Sequence, residues 1–422
     1  SLPSGQVPAV GGFLRERYVD SFRKGLLKAD WERLVALFEA KNYTGDDPVG
    51  GEMGKWLSAA AYTASRVGDA KLRNAVDQAV RGLEKSQEAD GYLGVSAPSV
   101  RQPLRALEPY EHYWLLQGLL DCHEQLASDL ALRVASRLAG FYLEHFGPTK
   151  LSLAAPDLCT SPDERASALR ATVLIEPLAR LSAETGDERL VKWCLWVVEN
   201  LDAWSGADFY TGLSCLGTGE AKLEDVTAYL DPETFYLNLL GLLQIYAVTG
   251  EATCLRPVES AWEALAADRL ALTGADPQAD TNACLAWLRL NQRLLEVTGK
   301  TRYADVVEKL LWNVLPAAQS GDGGNYVSSR PLAGTRPPLA KPADANAVSS
   351  GVLALALLPS LICAEGPEGY YINQYCESTV RFRAPSGQIV TLEQHTSYPD
   401  TEAVAIVLRM KKPETLNFLV RI

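Results

Sequence analysis

Histidine is scarce in this sequence, and cysteine never occurs at a spacing that suits a metal site. The four histidines form no HExxH or HxH pair, and the eight cysteines are scattered without a CxxC pair. Because zinc sites need clustered nitrogen and sulfur ligands, the residues alone indicate no metal, no cofactor and no disulfide framework. Most cysteines are expected to be small buried hydrophobic residues. A GxSxG serine motif and a phosphate-binding loop are also missing.

Basic charge and long apolar runs are lacking as well. Forty lysines and arginines stand against 52 aspartates and glutamates, giving a net charge of -12. This balance argues against a nucleic-acid partner and against an anionic membrane surface. The longest apolar run, at residues 351–364, contains Pro359 and predicts a buried helix and no membrane span. The chain opens at Ser1 without a signal-peptide pattern, which fits a processed secreted or periplasmic protein and a trimmed chain equally, and leaves a cytoplasmic location open.

Short turns of one kind recur along the chain, at intervals of 49 to 64 residues. They lie at Gly68, Ser128, Gly186, Gly250 and Gly299. A strongly apolar helix is predicted before each turn and a more amphipathic one after it. With a further apolar helix at 350–364 and an outer helix at 31–40, this repeat predicts a mostly α fold, an (α/α)6 toroid of six hairpins over residues 1–365.

The connections between successive hairpins are long, and all of them fall at the other end of the predicted toroid. They span approximately residues 41–54, 87–111, 146–170, 202–234, 269–281 and 319–349. Long loops in a compact domain are usually functional, so this long-loop face is the predicted cleft.

The last part of the chain has a different pattern. Residues 366–422 alternate with period two and predict a module of β-strands, a partial antiparallel β-sandwich. Since the sequence stops inside the last predicted strand, part of the sandwich is expected to be missing. The oligomeric state is not predicted.

The predicted cleft loops combine carboxylates with aromatic residues. They include Asp90 and Tyr92 in QEADGYLG, Tyr110, Glu111 and His112 in LEPYEHYW, Asp231, Glu233 and Tyr236 in DPETFY, and Asp280 in TGADPQADTNAC. Aromatic rings stack on sugars, and carboxylates bind hydroxyls and transfer protons across a glycosidic bond, so carbohydrate is the predicted ligand. A structural alternative stays open for each: Asp280 and Asp231 could cap helices, Asp90 could shape a turn, and His112 could make a core hydrogen bond.

The sequence resembles glycoside hydrolase family 127, the β-L-arabinofuranosidase group also called domain of unknown function 1680. The resemblance is carried by GKWLSAAAYTASRVGD, SQEADGYLG, NQRLLEVTGKTRYADVVEKLLWNVL, LALALLPSLICAEGPEGYYINQY and QHTSYP. It implies an (α/α)6 barrel followed by β-sandwich material, in a bacterial protein of carbohydrate metabolism.

This chain departs from the family at its catalytic centre. Members carry Glu-Thr-Cys at the fifth inner helix and Cys-Cys before the sixth, where they bind zinc and supply a cysteine nucleophile, with a glutamate acid/base just upstream. The first positions fall here on Asp280, Thr281 and Asn282, and the second near Asn346 and Ala347, with no evident upstream glutamate. A zinc-bound cysteine is therefore not expected. Cys284 does not replace it, because two residues turn a helix by about 200°.

Two functions are left open by these residues. One is a metal-independent glycoside hydrolase acting on an arabinofuranoside-like oligosaccharide of plant or bacterial type. Its predicted catalytic carboxylates are Asp280, Glu111 and Asp90, and its predicted sugar contacts are Trp56, Tyr92, Tyr110, His112, Tyr236, Asn282 and Asn346. The other is a non-catalytic relative that binds carbohydrate in the same cleft.

Overall fold

The computed structural model describes residues 9–45, 47–101, 104, 106–148, 150, 159, 161–276, 280–327 and 344–422. Its helices are α1 (Gly12–Lys24), α2 (Trp31–Ala40), α3 (Val49–Val67), α4 (Ala70–Ser86), α5 (Glu108–Leu126), α6 (Asp129–His145), α7 (Pro162–Ala171), α8 (Ile175–Thr185), α9 (Glu188–Ser205), α10 (Phe209–Leu216), α11 (Leu223–Val226), α12 (Pro232–Thr249), α13 (Ala252–Asp268), α14 (Thr281–Thr298), α15 (Thr301–Lys309), α16 (Leu315–Ala318), α17 (Ala345–Ala356) and α18 (Leu358–Ile362). The strands are β1 (Ala9–Val10), β2 (Cys363–Gly366), β3 (Gly369–Ile372), β4 (Ser378–Arg383), β5 (Ile389–Thr396), β6 (Val404–Arg409) and β7 (Phe418–Val420).

Six inner helices form a closed ring. Helices α3, α5, α8, α12, α14 and α17 contact one another in that order, and α17 packs back against α3. The amphipathic helices α4, α6, α9, α13 and α15 follow the inner ones and pack outside them, and α2 lies outside α3. The predicted (α/α)6 toroid is therefore confirmed.

The predicted short turns end the inner helices. Gly68, Gly186, Gly250 and Gly299 all adopt the left-handed conformation at the helix C-terminus, with φ between 65° and 75°. Glycine has no Cβ to clash there. In the remaining hairpin Ala127, one residue before the predicted Ser128, takes the same conformation with φ 55°.

The third inner helix is interrupted, which the sequence pattern did not predict. A 3-10 turn at Thr172–Leu174 separates α7 from α8. Pro177 follows in the first turn of α8, where it has no backbone N–H to donate to the preceding turn.

The C-terminal strands form two small sheets against the helices. One is antiparallel with the order β1-β4-β5-β6, and the other has the order β2-β3-β7 with β3 and β7 parallel. The antiparallel prediction is thus corrected for that one pair. The rings of Tyr370, Phe382 and Phe418 pack together between the two sheets in tilted and T-shaped pairs, with centroids 3.9 to 6.0 Å apart.

The core of the toroid is continuous and apolar. It contains the predicted buried cysteines, since all eight are free thiols and only Cys215 is partly exposed. Among the helices of the described residues, none is long and apolar enough to cross a membrane.

Candidate active site

The inner helices all begin at the long-loop end of the ring. A helix N-terminus carries a partial positive charge and stabilises nearby anions. The sequence places acidic side chains there: Glu52 in α3, Glu108 and Glu111 in α5, Glu233 in α12, and the N-cap residues Asp231, Asp280 and Asp344. The helix ends therefore collect carboxylates at this end of the ring, although Glu108 and Glu111 are buried there.

Lys55, Tyr110 and Glu233 form the centre of this carboxylate cluster. The Lys55 ammonium donates to Glu233 Oε1 at 3.1 Å and to the Tyr110 hydroxyl at 3.2 Å. The Tyr110 hydroxyl donates to Glu233 Oε2 at 2.9 Å. Lys55 Nζ also lies 4.7 Å above the ring of Trp114, and its side chain is only 2% exposed. Three inner helices thus hold one carboxylate between a cation and a phenol.

Burial keeps the central carboxyl easy to protonate. Removal from water raises the pKa of Glu233, and the negative charges of Asp280 and Asp231 raise it further, while Lys55 lowers it. Burial and the charge of Glu233 also raise the pKa of Tyr110 well above its usual value, so the phenol stays a donor. A carboxyl with a raised pKa is suited to general acid catalysis.

A second carboxylate stands beside this centre at the start of α14. Asp280 Oδ1 accepts from the backbone N–H of Ala283 at 2.8 Å, which makes Asp280 the N-cap. Its Oδ2 accepts from the Asn282 side chain at 3.1 Å, and Asn282 Oδ1 accepts from Ser350 at 2.7 Å. The cap and these hydrogen bonds fix Asp280 next to Glu233.

A third carboxylate, Glu52, lies in the first turn of α3. Its pKa is raised by burial and by Asp344, and is lowered by Arg33 and Lys55. Asn346 donates to Glu52 Oε1 at 3.5 Å, and Arg33 lies 3.6 Å from Oε2. Lys55 therefore interacts with carboxylates of two inner helices, Glu52 on its own α3 and Glu233 on α12.

The structure brings together four of the residues singled out from the sequence. Tyr110, Asp280, Asn282 and Asn346 all belong to the clustered helix N-termini described above, and each is partly exposed. The charge of Asp280 raises the pKa of Glu233, and Asp280 also caps α14, so the structural alternative for Asp280 is confirmed alongside its electrostatic effect on Glu233.

The other predicted sugar contacts require correction, because they are buried between helices. Trp56 is 1% exposed and stacks on Trp31 of the outer helix α2 at 5.8 Å. The Tyr92 hydroxyl donates to Glu108, His112 Nδ1 lies 2.7 Å from the Tyr142 hydroxyl, and the Tyr236 hydroxyl donates to Asp276 at 3.1 Å. None of these rings presents a face to the cleft, so they cannot form a sugar-binding wall.

Two of the predicted catalytic carboxylates also have structural positions. Glu111 is 1% exposed and accepts from the backbone N–H of Gly50, which joins α5 to the start of α3. Asp90 accepts from the Tyr92 N–H in a tight turn and lies 3.8 Å from His145.

Lys55 and Glu52 were missed by the sequence reasoning, and Glu233 was noted there without a role. The missed signal is a lysine inside the apolar inner helix GKWLSAAAY, because a buried ammonium must find a partner. Glu52 lies three residues earlier on the same helix face. Their partners are 178 positions away in sequence for Lys55 and 294 for Glu52, and only ring closure brings them near.

The residues at the family's zinc positions do not fit zinc. They offer the carboxylate of Asp280, whose two oxygens already accept hydrogen bonds, and the amides of Asn282 and Asn346. Protein zinc is bound by thiolate, imidazole and carboxylate groups. Within the described ranges no three His, Cys, Asp or Glu side chains are grouped so that they could hold a metal ion. No chemical step is therefore assigned to a metal here.

Comparison with known proteins agrees with the fold. The sequence model described as β-L-arabinofuranosidase, GH127 catalytic domain, matches residues 15–345. The non-reducing end β-L-arabinofuranosidase of Bifidobacterium longum subsp. longum is 23% identical over 407 residues, covering 82% of this chain. This chain spans only 59% of the length of that relative.

Solved structures show the same architecture. A GH127 β-arabinofuranosidase superposes with a TM-score of 0.76 at 19% identity, covering all of this chain and 71% of that one. A GH127 β-L-arabinofuranosidase from Geobacillus stearothermophilus T6 superposes with a TM-score of 0.74 at 17% identity. The match covers 98% of this chain and 74% of that one. A sugar epimerase from a ruminal bacterium superposes with a TM-score of 0.54 at 11% identity. The match covers 82% of this chain and 98% of that one. At these identities the likeness concerns the fold.

Proposed function

This chain belongs to the β-L-arabinofuranosidase family with the GH127 catalytic domain, and from that premise we propose that it is a glycoside hydrolase. Its proposed substrates are arabinofuranoside-like residues of plant or bacterial oligosaccharides, cleaved with carboxylates and without a metal. The observation that carries the proposal is the buried Glu233 carboxyl, with its raised pKa, beside Asp280 at the cleft. Two carboxyl groups held in different environments are what acid and base roles in glycoside hydrolysis require.

The two carboxyl groups receive different roles in this proposal. Protonated Glu233 donates its proton to the leaving glycosidic oxygen as the C–O bond breaks. Asp280, at the positive end of α14, accepts a proton from the water whose oxygen is transferred to the sugar. Lys55 and Tyr110 are positioning residues, since their hydrogen bonds orient Glu233. This pair replaces the earlier assignment of Glu111 and Asp90.

One observation supports the alternative, a cleft that binds carbohydrate without cleaving it. Both oxygens of Glu233 are already engaged, one by Lys55 and the other by Tyr110. A proton donor must release one of these contacts when the substrate binds, whereas a binding protein has no such need. Tyr110, Asn282 and Asn346 would then be the sugar contacts.

The deciding experiment measures sugar release from a panel of arabinofuranosides by wild type, Glu233→Gln and Asp280→Asn. We expect both variants to lose at least about 100-fold in kcat, as is typical for general acid or base groups. Asp69→Asn is the matched control, because Asp69 also caps a helix, but on the outer helix α4. Activity that survives in both cleft variants contradicts the mechanism. Binding of the same sugars without release by wild type supports the alternative.

A further inference from the structure

A second cavity lies in the ring, at the end opposite the cleft. It has a volume of about 360 Å³ and is lined by side chains from the inner helices, many of them near the short turns. Ser58, Glu176 and Arg289 form its buried inner part, while the exposed Ser65 and Glu124 lie on its lining toward the short turns. We call this space the rear cavity. It is large enough for a ligand of monosaccharide size.

A single aromatic side chain is shared by the rear cavity and the cleft. Trp114 lines the rear cavity, and its ring also lies 4.7 Å from the Lys55 ammonium of the cleft. Lys55, Tyr110, Glu233 and Asp280 are not among the residues that line the rear cavity. The two spaces are therefore distinct, and a ligand in the rear cavity does not need the cleft residues.

Rigid ion pairs form much of the rear cavity wall. Arg289 donates to Glu176 at 2.6 Å and to the Tyr113 hydroxyl at 2.7 Å. Arg180 bridges Asp121 at 2.8 Å and Glu124 at 2.6 Å. These arginines are neutralised by their partners, and they hold the wall in one geometry. A wall that is already ordered costs little further entropy when a ligand binds.

Besides the indole Nε1 of Trp114, two polar groups that line the rear cavity lack hydrogen-bond partners within the described residues. Ser58 is fully buried, and its hydroxyl makes no hydrogen bond within the described residues. Arg66 makes no ion pair or hydrogen bond in that part of the chain, and its Nε is buried; its nearest described contact is the Tyr62 ring at 5.7 Å. Burial lowers the pKa of Arg66, and the charge of Glu124 offsets this only in part. A buried donor left without an acceptor is costly.

From these groups we propose that the rear cavity is a second ligand site, which takes a small hydroxylated carboxylate of the sugar-acid class. The Arg66 guanidinium binds the carboxylate, for which its planar donor pattern is suited. The Ser58 hydroxyl and the amides of Gln117 and Gln244 bind ligand hydroxyls, and the Tyr62 ring covers an apolar face. This site is independent of the reaction proposed for the cleft.

The test is calorimetric titration of the whole chain with D-glucuronate, with D-glucose as the uncharged counterpart. Wild type is expected to bind glucuronate and to bind glucose much more weakly. Arg66→Gln should weaken glucuronate binding by about tenfold or more, the loss expected for one charge-assisted contact. Ser58→Ala, which keeps the charge, should weaken it by a smaller factor. Arg133→Gln on the exposed face of α6 should bind like wild type.

A cleft variant separates this site from the proposed active site. Glu233→Gln should retain glucuronate binding even where it abolishes sugar release. Loss of binding in Glu233→Gln with full binding in Arg66→Gln would place the anion in the cleft and overturn the proposal. Absence of glucuronate binding by folded wild type would overturn it as well. Melting curves show whether each variant is folded. If Arg66→Gln does not fold, the binding measured for Ser58→Ala still tests the proposal.

Discussion

Glu233 is the residue on whose protonation the proposed reaction depends most directly. Its pKa is raised from 4.5, mainly by burial, so the proton is kept to a higher pH than in an exposed glutamate. Activity that needs this proton must fall as the pH rises through the raised pKa. Lys55 opposes the rise, because a nearby cation favours the charged carboxylate.

The predicted effect of Lys55→Met is therefore a shift of the alkaline limb of kcat/KM to higher pH. We expect a shift of about 1 pH unit or more, the usual effect of one close opposite charge. The measurement is the pH profile of kcat/KM for wild type and variant. Lys192→Met, on the exposed face of α9, should leave the profile unchanged. A limb that moves to lower pH would show that Glu233 is not the acid.

Asp280 is predicted to contribute to stability separately from its proposed role in catalysis. Asp280→Ala removes the N-cap of α14 and should cost about 1 kcal/mol in the free energy of unfolding. Asp280→Asn keeps a capping oxygen and should lower the free energy of unfolding much less. Both variants should nevertheless lose sugar release. Urea denaturation measures the difference, and Asp69→Ala in α4 should match the stability loss of Asp280→Ala with normal activity. Equal stability of the two Asp280 variants would contradict the capping role.

At the scale of whole elements, the contact between α3 and α5 sets the position of Lys55. A Cβ on Gly54 would lie 2.1 Å from the carbonyl carbon of Trp114, and one on Gly118 would lie 2.5 Å from the carbonyl oxygen of Gly54. The two helices can approach this closely only because both residues are glycine. The approach brings Lys55 over the Trp114 ring.

Gly54→Ala should therefore destabilise the protein by about 3 kcal/mol or more, because neither backbone can move away without repacking the ring. The matched control is Gly140→Ala in α6, where an added Cβ meets nothing within 4 Å. That change should stabilise the protein by about 0.5–1 kcal/mol, because alanine favours the helix over glycine. Thermal or urea unfolding measures both. A neutral Gly54→Ala would show that the α3–α5 contact can relax.

The elements themselves could largely be predicted from the sequence, because their signals are local. The turns at Gly68, Gly186, Gly250 and Gly299 follow from the glycines, and the alternation of inner and outer helices follows from hydrophobic periodicity. The break between α7 and α8 could not, because the apolar pattern continues through it. Burial of the loop aromatic Tyr92 was also unpredictable, since it depends on Glu108 and Phe141 from neighbouring hairpins.

At the scale of the whole molecule, the site exists only because the ring closes. Lys55, Tyr110 and Glu233 lie on α3, α5 and α12, and no local pattern connects them. The long connections predict which face of the toroid carries the cleft, because they all fall at one end of it. The sequence could not show which carboxylate would be paired with a buried lysine, since that pairing depends on the packing of three separate helices.

The same closure predicts how the protein responds to a chelator. The ring places Asp280, Asn282 and Asn346 at the positions where the family holds zinc, and these groups are joined to Ser350 and Glu52 by hydrogen bonds. A metal bound to this arrangement would stabilise the folded state and raise the unfolding temperature. Removal of that metal would then lower the unfolding temperature. Because the donors present do not suit zinc, dialysis against excess chelator should change neither the unfolding midpoint nor sugar release. A zinc-dependent hydrolase treated in the same buffer shows that the chelator is effective. Activity that is lost on dialysis and restored by zinc would show that the cleft assembles a metal site after all, and the carboxylate mechanism would then fail with it.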